Sequence, residues 1–295
     1  MQQWGRLITA MATPFDQDGR LNIKGAVALA QKLVQEGTTA LVLAGTTGES
    51  PTLTDEEKLE LFVSVKKAVP VPVIANVGTN NTEKSAALAE KARKAGMDGV
   101  MAVVPYYNKP NRAGLVAHFE AIVQAAQLPV MVYNVPGRTG SNMDADTILR
   151  VADIPGIAAL KEATGEFDKI SYVLREAPQS FSVYTGEDAL TLPVLAIGAY
   201  GVVSVAAHVA GKQMRAMIDH YIAGRVEEAR KLHLALTPIY KSLFVTTNPI
   251  PLKAALKLTG FDAGPLRLPL VEADEAVVAL LRKDLEELGK TEGTV

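Results

Sequence analysis

The sequence predicts an α/β fold, a (β/α)8 TIM barrel with a C-terminal helical extension. From residue 6 onward, short apolar runs alternate with amphipathic segments of helical period, a pattern typical of βα units around a parallel sheet. Eight such runs occur, which is the number of strands in a closed barrel of this kind. Only helical patterns follow residue 224. We therefore expect a catalytic barrel over residues 1–224 and a helical subdomain over residues 225–295.

Each predicted element has its own local signal. The helix after the second strand is expected to begin at residues 54–57, which have the spacing of a capping box. Gly37, Gly96 and Gly224 lie just past helical stretches, where a left-handed residue often ends a helix. Residues 248–251 separate two helices of the tail. The predicted strands are 7–10, 40–43, 73–77, 99–104, 130–133, 157–160, 181–184 and 202–205, and the predicted tail helices are 226–244, 250–258 and 272–288.

Composition and charge exclude several classes of function. The 295 residues are 48% hydrophobic, enough for a substantial core. With 30 basic and 32 acidic residues the net charge is -2, so no bulk field holds nucleic acid or an anionic membrane. No apolar run is long enough to span a bilayer, and the absence of cysteine excludes disulfides and thiolate chemistry. We expect a cytoplasmic protein that acts on small molecules, without nucleic acid or membrane partners.

Lys161 is the first candidate for chemistry, because it ends the almost wholly apolar run 157–160. Lysine is rarely fully buried, since its charge is costly to remove from water unless it is paired or deprotonated. Burial lowers the pKa of a lysine and makes its neutral amine a nucleophile toward carbonyl groups. The alternative is a lysine at a strand end that turns outward into solvent. Lysines of this second kind are common, so Lys161 taken alone does not decide for catalysis, and the choice depends on the residues predicted to lie around it.

The residues that follow the other predicted strands are unusually polar. Barrel enzymes carry their chemistry at the carboxyl ends of the strands. A lysine imine needs proton donors and acceptors near its nitrogen, a role that Tyr133 with the hydroxyls of Thr46 and Tyr107 can fill. The turn at Thr47, bounded by glycines, can accept the carboxylate of a keto acid. Arg138 can hold a second acidic substrate in bidentate fashion.

Each of these residues also has an ordinary structural interpretation. The glycines and threonines of a loop serve turns, tyrosines serve cores, and Arg138 can pair with an acid at the surface. Their convergence on one rim of the barrel favours a site. The four histidines of the chain lack close ligand spacing, so we expect no metal.

Four longer motifs follow the predicted strands in order. They are Gly-Thr-Thr-Gly-Glu-Ser at 45–50, Pro-Tyr-Tyr-Asn-Lys-Pro at 105–110, Tyr-Asn-Val-Pro-Gly-Arg-Thr-Gly at 133–140 and Lys-Glu-Ala-Thr-Gly at 161–165. Together they resemble the dihydrodipicolinate synthase family, within the superfamily of pyruvate-dependent lyases and aldolases that includes N-acetylneuraminate lyase. The likeness covers essentially the whole chain, including residues 248–251.

The resemblance implies a function and a set of roles. The reaction would condense pyruvate, held as a Lys161 imine without any cofactor, with aspartate 4-semialdehyde in lysine and diaminopimelate biosynthesis. The other roles that it implies are a proton relay of Tyr133, Thr46 and Tyr107, a pyruvate carboxylate site at Thr47, an aldehyde carboxylate site at Arg138, and a pocket lined by the backbone of Gly186 and Val203.

The resemblance also implies an oligomer and an effector site. Tyr107 would reach the site of a neighbouring subunit in a homotetramer, a dimer of dimers. Lysine-inhibited members of the family bind the effector through residues that match Ser50, Asn80 and Tyr106. This sequence departs from that pattern, because Lys58 replaces a histidine and Lys84 replaces an acid. We expect L-lysine to inhibit weakly or not at all, unless the adjacent glutamate at position 83 supplies the missing carboxylate.

Other functions remain open at this point. The nearest alternative is another pyruvate-dependent class I aldolase, acting on a 2-keto-3-deoxy sugar acid or on 4-hydroxy-2-oxoglutarate. An arginine at position 138 favours an acidic second substrate over a neutral sugar aldehyde. A phosphate-binding isomerase fits less well, since residues 201–205 lack a glycine-rich phosphate loop. A non-catalytic sugar-acid sensor would not need a nucleophilic amine.

Overall fold

The computed structural model describes residues 4–290, and these residues form the predicted barrel. The strands run parallel in chain order, and β1 closes the ring by pairing with β8. Their carboxyl ends therefore share one rim, as in other barrels of this class. The strands are β1 (Leu7–Ala10), β2 (Ala40–Leu43), β3 (Val73–Asn76), β4 (Gly99–Val103), β5 (Val130–Asn134), β6 (Ile157–Glu162), β7 (Ser182–Thr185) and β8 (Gly201–Ser204).

Helices follow each strand and cover the outside of the barrel. The ring contains α1 (Ile23–Gln35), α2 (Asp55–Ala68), α3 (Thr82–Lys94), α4 (Arg112–Ala126), α5 (Pro136–Thr139), α6 (Ala145–Ala152), α7 (Phe167–Glu176), α8 (Thr191–Ala196) and α9 (Ala207–Ile222). The tail contains α10 (Val226–Ser242), α11 (Ile250–Leu258) and α12 (Glu275–Gly289). Helix α10 packs on α9, and α12 packs on α10 and α11. The division of the chain into two domains at residue 224 stays a prediction.

Two separate apolar layers hold these elements together. Side chains that point outward from the strands pack against the helices, and Leu41 and Val73 are fully buried there. Side chains that point inward fill the barrel, and Trp4 and Tyr184 lie among them. The Tyr184 hydroxyl donates to the Gly5 carbonyl oxygen over 3.0 Å. The interior of the barrel is thus a packed core, and in barrels of this class the ligand space lies at the carboxyl rim.

The strand predictions were right in number and order but wrong at several ends. The apolar run ends at Leu160, yet β6 continues through Lys161 and Glu162. Both residues pair with β5 and with β7, because strand length is set by the neighbouring strands rather than by side-chain polarity. Strand β7 begins one residue later than predicted and β8 one residue earlier. In the tail, α10 ends two residues earlier than predicted and α12 begins three residues later.

The local signals for helix ends were confirmed. The Thr54 hydroxyl accepts the backbone N–H of Glu57 over 3.2 Å, and the Glu57 carboxylate accepts the backbone N–H of Thr54 over 2.9 Å. Gly37, Gly96 and Gly224 all have positive φ angles. In residues 4–290, no helix combines the length and the apolar character needed to cross a membrane.

Candidate active site

Lys161 lies inside the carboxyl rim of the barrel and not in solvent. Its relative exposure is 5%. It is the register partner of Tyr133 across β5 and β6, so the two side chains project side by side into the barrel. The Nζ atom lies 4.1 Å from the centre of the Tyr133 ring. Two strands of a closed barrel therefore fix the amine against an aromatic face.

The surroundings of Lys161 make its amine reactive. Burial lowers the pKa of Lys161 from 10.5 to about 8, and the nearby charge of Arg138 acts in the same direction. The carboxylates of Asp188 and Glu187 oppose this change by favouring the ammonium form. Because burial has the larger effect, an appreciable fraction of the amine is neutral near physiological pH. A neutral amine of this kind attacks carbonyl carbons.

Tyr133 presents its hydroxyl to the same space. Burial raises the pKa of Tyr133 to about 12, although the charge of Arg138 and a hydrogen bond with the Thr46 side chain favour the phenolate. The phenol therefore keeps its proton at neutral pH and acts first as a donor. The hydrogen bond from the Thr46 hydroxyl to the Tyr133 oxygen places two members of the predicted relay in contact.

A cavity of about 360 Å³ opens above the Lys161 amine. Its size suits a small keto acid with part of a second substrate. Most of the predicted site residues meet here. The polar lining comes from Thr46, Thr47, Tyr133, Arg138, Lys161, Glu187, Thr247 and Asn248, and the rest from Ala10, Gly45, Met101, Val135, Gly137, Ala163, Gly186, Val205 and Phe244.

The loop that carries Thr46 and Thr47 is held in shape at both ends. Ala44 and Glu49 have φ angles of +50° and +54°, which is unusual for residues with side chains. The Asn76 amide donates to the Ala44 carbonyl oxygen over 2.9 Å, and Asn76 is buried. A loop fixed in this way presents the two threonine hydroxyls without a large ordering cost.

Gly186 has a steric reason to be glycine. A Cβ atom at this position would lie 2.9 Å from Cε of Lys161 and 2.9 Å from Cβ of Ala163. A larger residue would displace the lysine side chain from its place against Tyr133. The residue predicted to line the pocket through its backbone therefore also makes room for the nucleophile.

Arg138 lies at the mouth of the cavity, on the short helix α5. Its side chain is exposed and also lines a second cavity that extends toward α2 and α3. Guanidinium groups at such a position bind carboxylates in bidentate fashion. Arg138 therefore lies within the same cavity as Lys161, and its role toward a second substrate stays a prediction.

Two predicted residues lie away from this cavity. Tyr107 is 87% exposed, has a φ angle of +72° and is not among the residues that line the cavity. Val203 is fully buried in the apolar interior of the barrel, while Val205, two residues further along, lines the cavity. The core position thus lies within β8, and the pocket position lies just beyond its carboxyl end.

The second cavity, of about 650 Å³, contains most of the predicted effector residues. Ser50, Tyr106, Lys58 and Lys84 all line it. Lys58 is 7% exposed, and burial lowers its pKa. Asn80 is not part of the lining, and its carbonyl oxygen accepts the Asn108 amide over 2.8 Å.

Sequence reasoning missed several residues that line the active cavity. Glu187, which lines the cavity, and Asp188, which does not, come just after Gly186, and the carboxylates of both act on the pKa of Lys161. The only sequence signal for them was the polar segment after the seventh predicted strand. Phe244, Thr247 and Asn248 come from the tail, between α10 and α11. No local pattern indicated that the tail reaches the rim of the barrel. Within residues 4–290, no group of three histidine, aspartate or glutamate side chains is arranged to hold a metal ion.

Known proteins resemble this chain over nearly its whole length. The model of the dihydrodipicolinate synthetase family matches residues 3–288. The 4-hydroxy-tetrahydrodipicolinate synthase of Moorella thermoacetica is 53% identical, over 97% of this chain and 99% of the relative. The solved Cyanidioschyzon merolae dihydrodipicolinate synthase with lysine bound is 46% identical, with a TM-score of 0.95 over 97% of this chain and 98% of that one. The Acinetobacter baumannii enzyme complexed with pyruvate is 35% identical, with a TM-score of 0.93 over 97% and 99%.

The fold and the site define an enzyme of the TIM-barrel lyase class. The chain belongs to the dihydrodipicolinate synthetase family. Its enzymatic activity is that of a 4-hydroxy-tetrahydrodipicolinate synthase, so the first of the functions considered from the sequence is confirmed and the other aldolases are not supported.

Proposed function

We propose that Lys161 forms an imine with pyruvate, which then condenses with L-aspartate 4-semialdehyde. The observation that carries this proposal is the buried amine of Lys161 against the Tyr133 ring, at the base of a cavity of keto-acid size. A relative of the same fold is complexed with pyruvate, which supports the choice of substrate. No cofactor is required, because the imine itself withdraws electrons from the substrate.

Imine formation uses first the Lys161 amine and then the Tyr133 hydroxyl, the two groups whose pKa values burial shifts. The neutral Lys161 amine attacks the ketone carbon of pyruvate, and a C–N bond forms as the carbonyl oxygen gains a proton. The carbinolamine then loses its hydroxyl as water, which needs a proton donor close to that oxygen. Tyr133, whose pKa of about 12 keeps it protonated, fills this role, and the hydrogen bond from Thr46 offers a route for its reprotonation.

Carbon–carbon bond formation follows from the imine. The methyl carbon of the bound pyruvate passes a proton to the Tyr133 oxygen, which gave up its own proton when water left, and the imine becomes an enamine. The enamine carbon attacks the aldehyde carbon of the second substrate, and the aldehyde oxygen takes up a proton from the relay. The imine that re-forms is released from Lys161 by attack of an amine or of water.

Two groups bind the carboxylates of the substrates. Thr47, buried in its loop, holds the pyruvate carboxylate by its hydroxyl. Arg138 at the cavity mouth binds the carboxylate of the aldehyde. An aldehyde without a carboxylate would leave the guanidinium without a partner, so the site selects the acidic substrate. The backbone of Gly186 lines the space beside the imine. Val203 packs in the barrel interior beneath this space.

Trapping with pyruvate and borohydride tests the imine directly. We expect reduction to leave one pyruvyl adduct on the peptide that contains Lys161, and no adduct in Lys161→Ala. A matched control is Lys169→Ala, since Lys169 follows the same strand but pairs with Glu162 and Glu166 outside the cavity. An unmodified wild-type chain after reduction would overturn the proposal.

Tyr107 completes the proposed relay from a neighbouring subunit. The relay needs a further hydroxyl, and in one chain this tyrosine is 87% exposed. We propose a homotetramer, a dimer of dimers, in which each Tyr107 serves its neighbour. Mixing inactive Lys161→Ala with inactive Tyr107→Phe should restore part of the activity, since mixed oligomers contain one complete site. A monomer in sedimentation equilibrium would contradict this arrangement. Cytoplasmic location stays a prediction from the sequence.

A further inference from the structure

The wall of the active cavity joins two segments that are far apart in the chain. Asn248, between α10 and α11, donates its Nδ2–H to the Thr47 hydroxyl oxygen over 2.9 Å. The two residues are 201 positions apart. Both are buried, with relative exposures of 3% for Asn248 and 2% for Thr47, and both line the cavity. A polar contact this deep and this distant in sequence needs a physical explanation.

The contact limits the directions in which the Thr47 hydroxyl proton can point. A hydroxyl has one proton to donate and two lone pairs that accept. The Asn248 amide occupies a lone pair, so Thr47 is left with its proton to donate. In residues 4–290, no side chain or carbonyl accepts that proton. The proton is therefore available to an acceptor in the cavity, such as a carboxylate oxygen.

Helix α11 holds the loop of Thr47 at a second point. The Lys253 ammonium lies 2.7 Å from Oε1 of Glu49, two residues after Thr47, and donates to the Pro265 carbonyl oxygen over 2.8 Å. Both members of this ion pair are buried. The distance between Asn248 and Thr47 is thus set by the packing of the tail on the barrel rather than by a mobile side chain.

We propose that Asn248 is a positioning residue for substrate binding. It acts through Thr47 by occupying one lone pair of that hydroxyl and directing its proton toward the carboxylate of the keto acid. The tail is then part of the active site, because it orients the carboxylate-binding group of the barrel. This inference rests on the proposed function, in which Thr47 binds the pyruvate carboxylate.

Substitutions at both positions test the proposal. Asn248→Ala frees the hydroxyl to rotate and should raise the KM for pyruvate about tenfold, the scale of one hydrogen bond to a charged group. Asn248→Asp has the same shape but accepts the Thr47 proton and adds negative charge, so the KM should rise by about a hundredfold or more. In both variants, kcat and the KM for the aldehyde should change much less. Thr246→Ala, at an exposed position of the same junction, is the control.

A double-mutant cycle separates positioning from general support of the fold. In a Thr47→Val background the hydroxyl is gone, so adding Asn248→Ala should raise the KM for pyruvate no further. Equal effects of Asn248→Ala with and without the Thr47 hydroxyl would overturn the proposal. An Asn248→Asp variant that folds normally and keeps the wild-type KM for pyruvate would also overturn the proposal. This variant provides the test if Asn248→Ala is unstable.

Borohydride trapping in the same samples distinguishes failure of the proposed function from failure of the proposed role of Asn248. If wild-type protein forms no pyruvyl adduct on Lys161, the proposed function fails. If the adduct forms at the same pyruvate concentration in wild type and Asn248→Ala, the function stands and the role of Asn248 is refuted.

Discussion

The Nζ atom of Lys161 lies 4.1 Å from the centre of the Tyr133 ring, on the neighbouring strand. The ring face attracts the charged ammonium, while burial of both residues favours the neutral amine. Burial has the larger effect, and the pKa of Lys161 falls to about 8. Because the two residues are register partners, the strand pairing of the barrel fixes the distance between nucleophile and proton donor.

Imine formation should depend on pH through Lys161. The amine is protonated and inactive below its pKa of about 8, so the rate should rise about tenfold per pH unit below that value and level off above it. Glu187→Gln removes an anion that raises this pKa, so the inflection should move to lower pH. Single-turnover trapping with pyruvate across pH measures the inflection in both proteins. An inflection that stays in place in Glu187→Gln would exclude the electrostatic coupling.

Tyr133→Phe should slow turnover by about 10²- to 10⁴-fold, the usual scale for loss of one acid–base group. The chain offers a matched control in Tyr184, which is also a register partner of Lys161 but donates its hydroxyl to Gly5 at the opposite end of the barrel. Tyr184→Phe should lower stability and leave kcat nearly unchanged. Steady-state kinetics of the two variants, with thermal unfolding of each, would show the contrast. Near-normal turnover in Tyr133→Phe would remove it from the relay.

Much of the barrel could be predicted because its signals are local. Apolar runs, the capping box at Thr54 and the glycines at helix ends each depend on a few adjacent residues. Lys161 was recognisable for the same reason, since it interrupts an apolar run. The end of β6 was harder to predict, because the length of this strand depends on its pairing with β5 and β7.

The contribution of the tail to the site could not be predicted in the same way. Asn248 meets Thr47 only through the packing of α10 and α11 on the barrel, and no periodic pattern records such a contact. The charges of Glu187 and Asp188 were visible as polar residues, but their distance from Lys161 depends on how the barrel closes. Tyr107 is exposed in one chain, so its predicted role depends on a second chain.

Arg138→Ala should impair use of the aldehyde far more than imine formation with pyruvate. The guanidinium lies at the cavity mouth, above the amine, so its loss removes the partner of the second carboxylate. We expect a rise of about a hundredfold in the KM for the aldehyde, the scale of one charged hydrogen-bonded pair. Arg112→Ala, which breaks an exposed pair with Asp144, is the control. Equal loss of trapping and of aldehyde use would indicate a structural role for Arg138.

L-lysine should inhibit this enzyme weakly or not at all. The side chains of Lys58 and Lys84 line the second cavity, where lysine-inhibited relatives are expected to have a histidine and an acid. An effector with two ammonium groups would meet the like charges of Lys58 and Lys84, while the Asp55 carboxylate of this lining pairs with Lys91 over 3.4 Å. The double variant Lys58→His/Lys84→Glu should gain inhibition by L-lysine in an activity titration. Inhibition of the wild-type enzyme at micromolar L-lysine would contradict the prediction.

Removing one partner of the buried ion pair between Glu49 and Lys253 should destabilise the protein much more than removing both charges together. Lys253→Met leaves a buried carboxylate without its cation and should lower the free energy of unfolding by about 3 kcal/mol. The double variant Glu49→Gln/Lys253→Met removes both charges and should recover most of that loss, because neither group is left uncompensated. Urea unfolding of the three proteins under the same conditions measures the difference. A double variant that is less stable than Lys253→Met alone would mean that the pair stabilises the fold through its hydrogen bonds. The loop of Thr47 would then be expected to become more mobile in the double variant, and the KM for pyruvate would be expected to rise.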